Sequence, residues 1–387
     1  MIYLDNNATT PLADEVWAAM EPFVRGHFSN PSSASTLARP VKRAIAEARE
    51  SCAALLGCDV EEILFTSGGT EALNTALHSV TRQQPQRKHL ILGSTEHEAV
   101  RNPVAWLVES EGYTVSELPV NPAGQIAVAD VAAAIRPGET AAIFLMAANN
   151  ETGVLSPLPE VAALAAAHGI PLITDLVQMA GKCHVSLADT GVSLAAISGH
   201  KIHGPKGIGA LYVNRHMAFL PWMRGGNQER QRRAGTENTA GIVGLGAAAR
   251  LASAALAQSA VVAAMRDFFE AEILRRIPAS AVNGAGVPRV PNTTNLRIDG
   301  VVAEGLLFLL DQRGVIASAG SACTTGSTQP SHVLTAMGLT AEQAKSSLRF
   351  SFSRYQTRTE VERAVDVVVA SVEKFRTLMG WSSPATG

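Results

Sequence analysis

This 387-residue sequence has little charge, few aromatic residues and few cysteines. Charged residues make up 17% of it, below the roughly 25% of an ordinary globular chain. Lys and Arg total 32 and Asp and Glu 34, so the formal net charge is −2. That near-balance excludes an electrostatic case for nucleic acid or an anionic membrane surface. Aromatics are only 5% while apolar residues reach 47%. A large core can therefore be buried, built mostly of Ala, Val and Leu, and disorder is excluded. The four cysteines, Cys52, Cys58, Cys183 and Cys323, form no CxxC and do not cluster with histidines at zinc-site spacing. A disulfide framework and a structural zinc site are excluded, and a reducing cytoplasm is the expected setting. The opening MIYLDNNATT carries Asp5 where a signal peptide needs an unbroken apolar run. Residues 241–265 carry Arg250 as their only charge, but they are mostly Gly, Ala and Ser. They read as a long helix buried on one side, and no membrane span is expected.

What is present is alternation. Short apolar runs at 62–66, 89–92, 113–118, 142–146, 170–174 and 194–198 read as buried strands. Helical patterns at 71–81, 98–112, 128–135 and 158–168 separate them. Repeated β–α alternation predicts an α/β fold with a mainly parallel sheet, whose ligands bind beyond the carboxyl ends of the strands. After about residue 275 the pattern changes. Residues 278–291 are rich in Pro, Gly and small side chains, and a smaller α+β domain is expected to follow. The expected division is an arm at 1–20 packing with the small domain, a large domain at 21–275, and a small domain at 276–387 that carries Cys323.

Four segments carry residues with chemistry. Lys201 follows a strand and sits in SGHKIHGPKGIG. A desolvated lysine there would offer a neutral amine for a Schiff base; the plainer reading is a surface lysine on a turn. Asp175 closes the strand ITD, where a carboxylate could face a pyridinium nitrogen or simply cap a turn. Gln178, three residues on, could reach a ring hydroxyl. Ser67-Gly-Gly-Thr-Glu lies between a strand and a helix. Gly69 and Thr70 could bind phosphate there, or Thr70 could be an ordinary cap. The segment is not a P-loop, because no Gly-Lys-Ser/Thr follows. The run SAGSACTTGST holds Cys323 among small side chains that cannot pack a core, so an exposed nucleophilic thiol in a mobile loop is expected. Arg349, in SLRFSF, could take a carboxylate in bidentate fashion or sit in a structural ion pair.

Together LDNNATTP, FTSGGTEA, STEHEAV, ANNETG, TDLVQMAGK, SGHKIHGPKGIGALY, RGGNQERQRRAGTEN, GSACTTGS and SSLRFSFSRY resemble the cysteine desulfurases, from Tyr3 to about Tyr355. LDNNATT, ANNETG and RGGNQERQRRAGTEN are most similar to the NifS branch, near the IscS housekeeping enzymes. The resemblance implies the pyridoxal phosphate-dependent transferase fold of class V aminotransferases, the aspartate aminotransferase type. It implies that Lys201 carries the cofactor, that Asp175 pairs with its ring nitrogen and Gln178 with its hydroxyl, and that His97 stacks on the ring and assists proton transfer. It further implies that Gly69, Thr70, Ser198 and His200 bind the phosphate, and that Thr236 reaches the phosphate of the neighbouring subunit in a homodimer. Asn150 would lie near ring and substrate, Arg349 would take the carboxylate of L-cysteine, and Cys323 would attack the substrate sulfur. Alanine leaves, and the persulfide sulfur passes to an acceptor such as an iron–sulfur scaffold, in housekeeping or for nitrogenase. No resident metal is implied; Cys323 would ligate a cluster only transiently, with a scaffold. The alternative is a selenocysteine lyase or another class V transferase. One departure bears on the site: Leu176 stands where relatives usually have Ala, and it is expected beside the ring.

Overall fold

The computed structural model describes residues 1–320 and 329–381. Twelve strands are named here in chain order among these residues. A seven-stranded sheet holds β2 (Ile63–Thr66), β3 (His89–Gly93), β4 (Thr114–Leu118), β5 (Thr140–Phe144), β6 (Leu172–Asp175), β7 (Leu194–Ser198) and β8 (Gly209–Val213) in the order β2-β8-β7-β6-β5-β3-β4. All pairings are parallel except those of β8, which runs antiparallel between β2 and β7. The α/β reading with a mainly parallel sheet therefore holds.

Side chains alternate across this sheet, as the period of two along a strand requires. Ile63, Phe65, Ile143, Ala195 and Ile197 join one core, and Leu64, Ala142, Phe144, Leu194 and Ala196 join the core on the opposite face. Helices Gly69–Gln83 and Glu98–Glu111 cover the second face. Helices Ala38–Leu56, Leu158–Ala167 and Thr239–Ala255 cover the first. Burial on both faces explains the near-continuous apolar strands.

Several strand boundaries differ from the sequence reading; β6, for one, is Leu172–Asp175 where 170–174 is expected. β5 begins at Thr140, two residues earlier than expected, because Thr140 already pairs with His89. β8 has no counterpart in the expected strands; it follows directly on the glycine-rich Lys201 loop, so its apolar run read as the end of that motif.

The second body is an antiparallel sheet of β9 (Ser280–Asn283), β10 (Thr293–Ile298) and β12 (Ser347–Ser351), in the order β12-β10-β9. Its core takes Leu296, Ile298, Leu348 and Phe350 from the strands and Val361, Val365, Val368 and Val372 from helix Arg358–Leu378. Thr357 and Glu360 close that helix's N-terminus in a capping box. At the chain start, β1 (Ile2–Tyr3) pairs with β11 (Val315–Ile316), and Ile2 and Leu4 enter this second core. Ala13 and Val16, further along, belong to the first core.

The apolar stretch at 241–265 is two helices. Thr239–Ala255 buries Ile242, Leu245, Ala248 and Ala252 in the first core, whereas Ser259–Arg276 buries Val262, Met265, Phe269 and Ile273 in the second. The apolar faces are thus consumed by protein packing. Gly246 brings the first of these helices against Ala38–Leu56: a Cβ there would stand 2.5 Å from the Ala48 Cα. Backbone cannot yield cheaply, so Gly246→Ala is expected to cost about 1–3 kcal/mol. A lowered thermal midpoint checks this, and an unchanged one refutes the close contact.

Candidate functional site

The strand ends converge on one cavity of about 210 Å³. β7 ends at Ser198, and a single turn Gly199–Lys201 then delivers His200 and Lys201 to its wall. β6 ends at Asp175, followed by Val177 and Gln178. Gly69 and Thr70 begin the helix after β2, His97 caps the helix after β3, and Asn150 follows β5. Arg349 enters from β12 of the second body. Ten sequence-predicted site residues are therefore neighbours: Gly69, Thr70, His97, Asn150, Asp175, Gln178, Ser198, His200, Lys201 and Arg349. Thr236 is exposed and does not line the cavity of its own chain. Cys323 lies outside the described residues. Ser318, before it, exchanges backbone hydrogen bonds with Arg349 (2.7 and 3.2 Å), and Ser331, after it, donates to Glu151 Oε2 at 2.6 Å.

Each polar group has a specific setting. Lys201 Nζ donates to the backbone carbonyls of Asn7 and Ala8, the latter at 2.8 Å, so the surface-lysine reading fails. Asp175 is buried, and its Oδ1 accepts from Val177 N at 2.8 Å. Burial pushes its carboxyl up from the ordinary range, and His97, the Val177 N–H and Lys201 offset part of that. His97 Nδ1 accepts from Ala99 N at 3.0 Å. That fixes Nε2 as the protonated nitrogen of the neutral ring. Burial, then Lys201 and Lys206, push His200 down to about 4, so its imidazole is neutral at working pH. Its Nδ1 lies 3.1 Å from Thr9 Oγ1.

Arg349 is 1% exposed. Its guanidinium donates to Asn150 O at 3.0 Å and to Asp5 Oδ1 at 2.7 Å, while Nε has no hydrogen-bond partner among the described residues. The structural ion-pair reading is thus half right, and one buried donor is left over.

The comparisons with known proteins agree along the whole chain. Residues 2–364 match the family described as aminotransferase class-V. A cysteine desulfurase of Trichormus azollae is 43% identical over 389 residues, covering 100% of this chain and 96% of its own. The chain belongs to the cysteine desulfurases of the class-V aminotransferase family. The desulfurase NifS of Azotobacter vinelandii is 44% identical over 377 residues, covering 97% of this chain and 93% of that one. A solved NifS-like protein superposes with a TM-score of 0.88 at 30% identity, covering 96% of this chain and 99% of that chain. Cysteine desulfurases of this class are, in general, pyridoxal phosphate enzymes.

In this desulfurase, Leu176 is not beside the cavity. Its side chain is 1% exposed and packs in the first core, while Val177 lines the cavity instead. Leu176 N donates to Ala196 O, so Leu176 continues the alternation of β6, and Asp175 already takes the cavity side. Val177 also explains Gly69, where a Cβ would lie 2.9 Å from Val177 Cγ2. The Gly68 N-cap starts the helix before Thr70, so Thr70 is not the cap.

Sequence reasoning missed Asn7. Its backbone carbonyl accepts from Lys201 and Gln178, and its Nδ2 donates to Asn150 O at 3.1 Å and Thr293 Oγ1 at 2.8 Å. The signal was in the LDNNATT segment, singled out for resemblance but assigned no role. Glu96 was also missed. It is buried, its Oε1 accepts from Met146 N, and burial raises its carboxyl to about 8. It lies in STEHEAV, likewise singled out for resemblance and assigned no role at that position.

Proposed function

We propose that the protein is a pyridoxal phosphate-dependent cysteine desulfurase that moves the sulfur of L-cysteine onto Cys323 and releases L-alanine. The observation that carries this is the meeting of Lys201, Asp175 and His97 in one cavity with an Arg349 Nε that has no hydrogen-bond partner among the described residues.

The donor set fits the cofactor. A buried Asp175 carboxylate with its pKa raised gains from a cationic ring nitrogen placed against it. The first backbone N–H groups of helix Gly69–Gln83, with Thr70, Ser198 and neutral His200 beside them, suit a phosphate. Gln178 offers N–H to a ring hydroxyl. Bound there, pyridoxal phosphate supplies an electron sink for the pair left at the substrate α-carbon.

The residues do the rest. Lys201 Nζ holds the cofactor and then takes and returns the substrate α-proton. His97, on the cavity wall, would cover the ring. Arg349 Nε holds the substrate carboxylate, a charge-assisted bond that orients the α-carbon toward Lys201, and Asn150 lies beside it. The Cys323 thiolate attacks the substrate sulfur. The carbon–sulfur bond breaks with its electron pair left on carbon, a sulfur–sulfur bond forms, and protonation of that carbon gives alanine.

A homodimer, with Thr236 serving the neighbour's phosphate, accords with the exposed apolar residues Trp17, Val24, Phe28 and Leu37 near the chain start. A scaffold for iron–sulfur assembly is the acceptor this reading favours, in the cytoplasm. The test is turnover of L-cysteine by the reconstituted protein. Alanine and, with thiol reductant, sulfide are expected in equal amounts, with one extra sulfur on Cys323 by mass spectrometry. Cys323→Ala is expected to lose sulfide release; full release by that variant would refute the transfer step.

A further inference from the structure

Lys182 has no part in the function just described, yet it stands directly behind the site. It follows Asp175 on a tight turn in which Ala180 N donates to Leu176 O at 2.8 Å and Lys182 N to Met179 O at 3.0 Å. Gln178 and Lys182, four residues apart, therefore share one face of that turn. Lys182 Nζ donates to Gln178 Oε1 at 2.6 Å and to Asn7 Oδ1 at 3.1 Å. Its own side chain does not line the cofactor cavity; it lines a small one, of about 50 Å³, on the far side of Lys201. Burial and the neighbouring Lys201 push its ammonium down to about 7.

The network dictates which end of each carboxamide faces where. Asn7 Nδ2 must face the carbonyl of Asn150, which only accepts, so Asn7 Oδ1 faces Lys182. Gln178 Nε2 donates to the Asn7 carbonyl at 3.0 Å, an acceptor that Gln178 shares with Lys201. Lys182 is the donor that the structure gives to Gln178 Oε1. Without it, Oε1 would lose that partner, and the carboxamide could turn its oxygen toward the cavity, against an oxygen of the cofactor ring.

We propose that Lys182 is a positioning residue for the cofactor: by holding Gln178 Oε1, it keeps the N–H end of that carboxamide turned toward the ring hydroxyl of pyridoxal phosphate. The inference rests on the reading that this cavity binds pyridoxal phosphate. It touches neither substrate nor cofactor itself, and its effect passes through Gln178.

The experiment is a set of equilibrium pyridoxal phosphate titrations, followed by absorbance, on the full-length protein stripped of cofactor. Wild type, Lys182→Met, Gln178→Leu and the double variant are compared. Each single variant is expected to bind about tenfold to a hundredfold more weakly, the worth of one hydrogen bond to a charged group. The double variant is expected to bind no more weakly than Gln178→Leu alone. Lys182→Arg, which keeps a cationic donor, is expected to stay within about threefold of wild type, and it serves if Lys182→Met does not fold by circular dichroism. Unchanged affinity in Lys182→Met, losses that multiply in the double variant, or an arginine variant as weak as the methionine one would each overturn the proposal. Failure of the wild type to take up pyridoxal phosphate would instead overturn the functional reading beneath it.

Discussion

Lys201→Ala, loaded with pyridoxal phosphate, is expected to form alanine from L-cysteine at least about 10⁴-fold more slowly than the wild type, the upper end of what a positioned proton-transfer group contributes. The expectation is this large because one nitrogen has two tasks, holding the cofactor and moving the α-proton. Its place is set by the turn Gly199–Lys201 at the end of β7 and by the carbonyls of Asn7 and Ala8. Among the described residues no second lysine lines the cofactor cavity: Lys182, the neighbouring lysine, is engaged with Gln178 and Asn7 and lies outside it. Borohydride reduction followed by mass spectrometry gives a readout apart from turnover. In the loaded wild type it should fix the cofactor on Lys201, and in the variant no peptide should be labelled. Turnover within about tenfold of wild type would sink the assignment.

Asp175→Asn is expected to lower kcat by about a hundredfold while leaving the fold intact. The substitution keeps the shape and the acceptor for Val177 N, but it removes the buried negative charge. A hydrogen bond to a charged group is worth about 1.5–3 kcal/mol, and each 1.4 kcal/mol or so is a factor of ten in rate. The sign of the stability change should be opposite. In the cofactor-free protein the carboxylate is desolvated and its pKa raised, so neutralising it should not destabilise that form. A cofactor-free Asn variant that melts no lower than wild type, together with weakened cofactor binding, is the expected pair of results. Unchanged kcat would show that the carboxylate is not the partner of the ring nitrogen.

Much of the site was legible because it is local. Lys201, Asp175, Gln178, Gly69, Thr70 and Ser198 all lie within a few residues of a strand end. In an α/β sheet that position alone puts side chains at the ligand edge. What was not legible is long-range or a matter of facing. The choice between Leu176 and Val177 turns on which way a single residue points after β6, and only packing against the first core decides it. Asn7 sits 194 residues from Lys201, and Arg349 sits 344 from Asp5. No periodicity relates such distant positions.

The sequence by itself determined the class of fold, the family, and the chemical types gathered at the strand ends, because apolar alternation and residue chemistry are properties of short segments. Its low charge and scarce aromatics pointed to a core of small aliphatic side chains, and Gly246 against Ala48 is where that composition allows helices to touch. The tertiary structure alone decided the second layer of the site. It turned Leu176 into the core, left Arg349 Nε without a partner among the described residues, and set Lys182 and Asn7 behind Gln178. Those outcomes depend on hydrogen-bond geometry among groups far apart in the chain, and a buried polar group acquires its partners only when the whole fold closes around it.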